Sequence, residues 1–266
     1  MARIIALSHQ KGGVGKTTTA VDLAASLAAY GQRVLLVDVD PQGNATSGLG
    51  LDRNTLPRGV YDVLLGFEDV EDVIVPSSLP NLDVLPCTAG LVGAEVELVD
   101  QRRREQRLQR GLDDVRAQYQ WILIDCPPSL GLLTLNALVA ADRVLIPLQA
   151  EYYAMEGLSQ LLRTITAVRK GLNPDLRREG IVVTMYDQRT NLCREVALQA
   201  KELFGDEVFA TVVPRNTRLG EAPSYGRPVL HYAPRSSGSK AYLHLARELL
   251  ARHGVEVAAN PLQEAL

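Results

Sequence analysis

The run His9-Gln10-Lys11-Gly12-Gly13-Val14-Gly15-Lys16-Thr17-Thr18 sets two ammonium groups among three glycines and closes on two hydroxyls. Those residue types at that spacing suit the holding of a phosphate chain. Glycines let the backbone wrap oxygens without side-chain clash, and unpaired N–H groups at a helix start offer hydrogen bonds to an anion. Lys16 then reaches the terminal phosphates, the Thr17 hydroxyl ligates Mg²⁺, and Gly12, Gly13, Val14, Gly15 and Thr18 complete the cradle. The chain holds 5 Lys against 23 Arg, and two of the five lysines sit in this loop. Against the usual G-x-x-x-x-G-K-[ST] pattern, Gln10 stands where the first Gly belongs and Lys11 follows it directly. A second ammonium ahead of the turn helps neutralise charge that builds up during phosphoryl transfer.

Such a loop works only between a strand and a helix. Here Ile4 to Leu7 form an apolar run before it, and Ala20, Val21, Leu23, Ala24, Leu27 and Ala28 repeat at helical spacing after it. Further apolar runs predict strands over 3–8, 33–38, 82–85, 121–126, 143–148, 180–186 and 208–213, with helices between them. Val34-Leu35-Leu36-Val37, Trp121-Ile122-Leu123-Ile124 and Val144-Leu145-Ile146 are continuous rather than alternating, as in parallel strands covered on both faces. The expected fold class is α/β, a doubly wound and mostly parallel sheet with helices on both faces. Met155, Leu158, Leu161, Leu162, Ile165 and Val168 predict an amphipathic helix over 151–172, stopped by Asn173-Pro174. Five arginines between Gln101 and Arg110 read as a solvated helix face, with DNA or partner contact as the second reading.

In open α/β sheets ligands bind beyond the carboxyl ends of the strands. Two predicted strands end there in carboxylates, Asp38-Val39-Asp40-Pro41-Gln42-Gly43-Asn44 and Asp125-Cys126-Pro127-Pro128-Ser129. Asp125 is placed to hold the Mg²⁺ shell through water. Asp38 shares a face with Asp40 by the strand period of two and would support the same shell.

With 266 residues, 46% of them hydrophobic, the chain can bury a sizeable core. No linker or repeat divides it, so we expect one domain over 1–253 and a tail over 254–266. Strand 1 begins by residue 3 and no apolar run approaches 18 residues, which argues against a secretory signal or membrane span and for a cytoplasmic protein. Cys87, Cys126 and Cys193 form no C-x-x-C pair and are expected to be free thiols without zinc or an iron-sulfur cluster. The net charge of -3 does not suggest a nucleic-acid partner. Its distribution does, because Arg215 to Arg252 carries seven basic against two acidic residues.

The K-G-G-V-G-K-T-T loop with the D-x-D-P-Q-G-N and D-x-P-P-S segments resembles the deviant Walker A P-loop ATPases of the ParA/MinD class, and the ParA/Soj chromosome-partitioning ATPases in particular. That resemblance implies weak ATP hydrolysis with ATP and Mg²⁺ as cofactors. It implies an ATP-bound homodimer in which Lys11 reaches the partner's nucleotide, so Lys11, Lys16 and Asp40 form the catalytic set and Asp40 positions the attacking water. Thr184-Met185-Tyr186-Asp187 and Val213-Pro214-Arg215-Asn216 resemble segments that enclose adenine, with Met185 and Pro214 flanking the ring and Asn216 reading its edge; Thr184 replaces the usual Asn. Arg189 and Arg218 match DNA-contacting positions of Soj-type proteins, and Arg235, Lys240 and Arg247 would extend that surface over nonspecific double-stranded DNA. The implied setting is the nucleoid, with a ParB-like activator. The alternatives are a MinD-like division-site regulator and a metabolic P-loop ligase or kinase. The tail argues against the first, having Glu256 and Glu264 and no Lys or Arg to bind anionic lipid. The loop begins at residue 9, which leaves no room for the amino-terminal helix-turn-helix of longer plasmid relatives.

Overall fold

Along each central strand successive side chains point to opposite faces of the sheet, and both faces are covered. The computed structural model describes residues 1–152 and 154–257. Its sheet is built from β1 (Arg3–Leu7), β2 (Val34–Asp38), β3 (Val75–Pro76), β4 (Leu82–Leu85), β5 (Trp121–Asp125), β6 (Arg143–Gln149) and β7 (Arg177–Thr184). The order is β3-β4-β2-β5-β1-β6-β7, parallel throughout except where β3 meets β4. The helices are α1 (Lys16–Ala29), α2 (Asn44–Gly48), α3 (Val60–Leu65), α4 (Val70–Val73), α5 (Leu91–Leu98), α6 (Arg107–Val115), α7 (Leu132–Ala140), α8 (Ala154–Gly171), α9 (Asn191–Phe204), α10 (Thr217–Glu221), α11 (Val229–Tyr232) and α12 (Ser237–Arg252).

Ile4, Ala6, Leu35, Val37, Ile122 and Ile124 face one core with α3 to α9, while Ile5, Leu7, Val34, Leu36, Trp121 and Leu123 face a second with α1 and α12. β2 and β5 are buried at every residue, which is why their sequences run apolar without alternation. This is the doubly wound sheet that the sequence predicts. Val255 and Val257, in the expected tail, pack against the second core; residues 258–266 of that tail lie outside the described residues.

Three elements differ from expectation. The short antiparallel β3 has no periodic signal in two residues. β7 begins at Arg177 rather than 180 and stops at Thr184, because Met185 takes φ 50 and turns the chain out of the ladder. The stretch 208–213 is not a strand; the Phe209 and Val213 N–H groups reach the Ile181 and Val183 carbonyls of β7 at 2.9 and 2.8 Å, and isolated parallel bridges join Ile181 to Val208 and, beyond β7, Tyr186 to Pro214. Glu248 on α12 explains the break, since its carboxylate accepts the Ala210 and Thr211 N–H groups at 2.8 and 2.9 Å. Those donors are then lost to any sheet. At the expected stop after α8, the Asn173 amide donates to the Leu138, Val139 and Ala141 carbonyls and so closes α7. In the arginine run, Arg104 and Arg107 donate to the Val99 and Leu65 carbonyls.

Candidate functional site

α1 opens without a side-chain cap and without an acidic residue in its first turn. Its N-cap Gly15 sits at φ 88 and Gly13 at φ 77, left-handed conformations that favour glycine. The start of α1 therefore presents free N–H groups and the positive end of its dipole to an anion. Val14 is held from the far side, where the buried Thr184 hydroxyl donates to its carbonyl at 2.8 Å. His9 braces the front, its Nδ1 accepting the Lys11 N–H at 3.0 Å. Burial, helped by the Lys16 and Lys11 charges, lowers the His9 pKa to about 4, so the ring is neutral at physiological pH.

Lys16 is buried and donates to the Lys11 carbonyl at 3.3 Å. Burial lowers its pKa, and the facing Asp125 is the main influence opposing that shift. Asp125 is itself fully buried beside Asp38 across the β2 and β5 register. Neither of its oxygens has a hydrogen-bond partner of normal geometry among the described residues, although the Thr17 hydroxyl is close enough to favour its charged form. Desolvation, followed by the Asp38 charge, raises its pKa well above the carboxylate range. An orphaned buried carboxylate beside a Thr hydroxyl offers oxygen donors that fit a hydrated Mg²⁺.

Asp38 is differently employed. Its Oδ2 accepts the Thr46 N–H and hydroxyl at 2.8 and 2.7 Å, and its Oδ1 accepts the Asp40 N–H at 3.2 Å. The carboxylate shapes the loop that carries Asp40, and desolvation raises its pKa to about 6. Asp40 accepts the Gln42 N–H at 2.9 Å in an Asx turn, and its charge opposes the downward shift of the Lys16 pKa. Cys87 and Cys126 are buried nearby as free thiols, Cys87 pushed up to about 12 by burial.

The predicted residues thus converge, with differences in detail. Lys11, Lys16, Thr17, Asp38, Asp40 and Asp125 gather at the carboxyl ends of β1, β2 and β5. Lys11 is ion-paired with Glu151, just before α8. The bridge between Tyr186 and Pro214 brings Met185 beside Pro214. Both ends of the Asn216 amide are engaged, capping Arg218 N at 2.8 Å and donating to the Ser237 hydroxyl at 2.7 Å. Arg189, Lys240 and Arg247 line one groove, whereas Arg218 and Arg235 lie outside it. Sequence reasoning gave no role to His9, Thr46 or Glu151, and it placed Thr184 in the adenine-enclosing segment, where it instead braces Val14. Of the missed three only His9 carried a signal, an imidazole two residues before the loop's first lysine.

A glycine-rich loop opening α1, with carboxylates at the ends of two adjacent parallel strands, defines a P-loop nucleotide-binding α/β protein. A family model described as an AAA domain matches residues 2–178. The chain is 57% identical to the sporulation initiation inhibitor protein Soj of Bacillus subtilis, over 94% of this chain and 99% of that one. It is 55% identical to the chromosome partitioning protein ParA of Myxococcus xanthus, over 95% and 89%. A solved structure described as cobyrinic acid a,c-diamide synthase from Mycobacterium smegmatis, with bound ADP and magnesium, superposes with TM-score 0.84 at 38% identity, over 98% of this chain and 100% of that one. The chain belongs to the ParA/Soj family of P-loop ATPases.

Proposed function

We propose that this protein is a weak ATPase of chromosome partitioning, in which ATP drives a sandwich dimer, the dimer binds DNA without sequence preference, and a ParB-like partner stimulates hydrolysis to release it. The observation that carries the reading is the buried, unpartnered Asp125 carboxylate facing Lys16 and Thr17 at the mouth of the loop. The N–H groups at the start of α1 hold the phosphates, and Lys16 reaches their terminal oxygens. Thr17 and Asp125 would hold Mg²⁺, Asp125 through water, with Asp38 behind them. That ion, when bound, neutralises charge on the β- and γ-phosphates. Asp40 orients the attacking water, and Lys11 leaves Glu151 to complete the partner's site. Met185 and Pro214 flank the base. One domain spanning 1–253 carries all of these groups, in a cytoplasmic protein found on the nucleoid.

The ligase reading rests on the diamide synthase likeness at 38% identity, against 57% and 55% for the Soj and ParA relatives. A turnover assay separates the two. We expect hydrolysis to rise with duplex DNA plus a ParB-type protein and to be indifferent to amide-forming metabolites; the opposite pattern sinks the partitioning role.

A further inference from the structure

His9 lies just ahead of the phosphate loop and is buried. Its Nδ1 accepts the Lys11 N–H, so that nitrogen carries no proton and the neutral ring has its hydrogen on Nε2. Nε2 is buried and has no hydrogen-bond partner among the described residues. A leucine would fill similar space without burying an unmet donor, so packing alone gives no reason for an imidazole here. What the ring supplies and leucine lacks is the acceptor at Nδ1.

The far edge of the ring rests on the first turn of α8. A Cβ at Gly157 would stand 3.0 Å from His9 Cε1 and 3.6 Å from Nε2, so the helix comes this close only because a glycine is there. Glu151, six residues earlier and just before the same helix, is ion-paired with the Lys11 ammonium. Lys11 is thus held at both ends, its backbone by His9 and its ammonium by Glu151, and both supports meet the start of α8. We propose that His9 is a positioning residue for Lys11: wedged against Gly157, its imidazole fixes the Lys11 backbone and with it the direction in which the ammonium leaves Glu151 for the partner's nucleotide. The inference rests on the role given to Lys11 in the reading above. A misplacement of about 1 Å can cost a reacting group up to about a hundredfold in rate, which is the range such a support controls.

The test uses the full chain, with a fluorescent ATP analogue for affinity and phosphate release at saturating ATP for turnover. His9→Leu should keep analogue affinity within about twofold, because Lys16 and the loop glycines are untouched, while turnover falls about tenfold. His9→Asn should stay within about threefold of wild type, since its amide oxygen accepts the same N–H in an Asx turn. Added to Lys11→Ala, His9→Leu should cost nothing further, because a ring that acts through the ammonium has nothing left to aim. Gly157→Ala should lower turnover about threefold beside the imidazole and leave it unchanged in the His9→Asn background, where the smaller amide gives room. If Lys11→Ala turns over like wild type, the role of Lys11 itself is lost. If Lys11→Ala fails but His9→Leu turns over normally, loses analogue affinity in step, or deepens the Lys11→Ala defect, the positioning role is overturned while that reading stands. Failure of Asn to rescue, or equal effects of Gly157→Ala in both backgrounds, overturns it too.

Discussion

Lys16 is buried, which lowers its pKa, and the facing Asp125 is the main influence opposing that shift. On the proposed function, Lys16 is the group that meets the terminal phosphates. Removing the ammonium should therefore weaken nucleotide binding itself: Lys16→Ala loses about two charge-assisted hydrogen bonds, roughly a hundredfold in affinity. Titration with a fluorescent ATP analogue measures that loss, and an unchanged affinity contradicts the assignment. On the proposed mechanism, Asp40 acts at the other end of the reaction. Its carboxylate is held by the Gln42 N–H in a turn that Asp38 and Thr46 shape from behind. We expect Asp40→Ala to keep ATP binding and dimerisation while hydrolysis falls by about a hundredfold or more. Phosphate release at saturating ATP checks this, and wild-type turnover would remove Asp40 from the mechanism.

Along the elements, the P-loop helix α1 is tied to the carboxyl-terminal part of the chain by one buried acid. Asp22 accepts the Val229 N–H of α11 at 2.7 Å, and the neighbouring Thr19 hydroxyl meets Tyr242 of α12 at 3.1 Å. Desolvation raises the Asp22 pKa from 3.8 to about 7. The folded chain binds that proton more tightly than the unfolded one, so the group's stabilising contribution is complete below pH 3.8 and is lost as pH rises through about 7. Asn at this position keeps the acceptor and cannot ionise. Asp22→Asn should gain about 2 to 4 kcal/mol at pH 8 and little at pH 4, which urea melts at both values will read. An equal gain at both pH values would contradict the burial argument. Such ties show where sequence legibility ends. The continuous runs of β2 and β5, the loop that opens α1 and the carboxylates after Asp38 and Asp125 were readable because each signal lies within a few residues. The irregular backbone at 208–213 was not, since its Ala210 and Thr211 N–H groups are taken by Glu248, nearly forty positions away, and neither was Thr184 bracing Val14 from β7. Long-range polar bonds leave no periodicity.

For the whole molecule, the decisive quantity on the proposed function is how many copies meet one DNA duplex. ATP should convert wild type and Asp40→Ala to a species of twice the 29.0 kDa chain mass in light scattering, and Lys11→Ala should stay at the chain mass. Salt dependence then reports whether DNA sees one chain or two. Among the described residues, the exposed Arg215, Lys240 and Arg247 that line one groove have no ion pair. Three phosphate contacts give a log–log slope of about -3, whereas six from a dimer give about -5, because each contact releases about 0.9 counterion. Between 50 and 200 mM salt the dimer should lose about a thousandfold in affinity and a lone chain only about fortyfold. The comparison is made on one scrambled and one unrelated duplex, with and without the ATP analogue, and the two sequences should agree within about threefold because phosphates carry no base identity. A slope that stays near -3 in the presence of nucleotide would mean that each chain binds DNA by itself, and the two grooves would then have no common footprint.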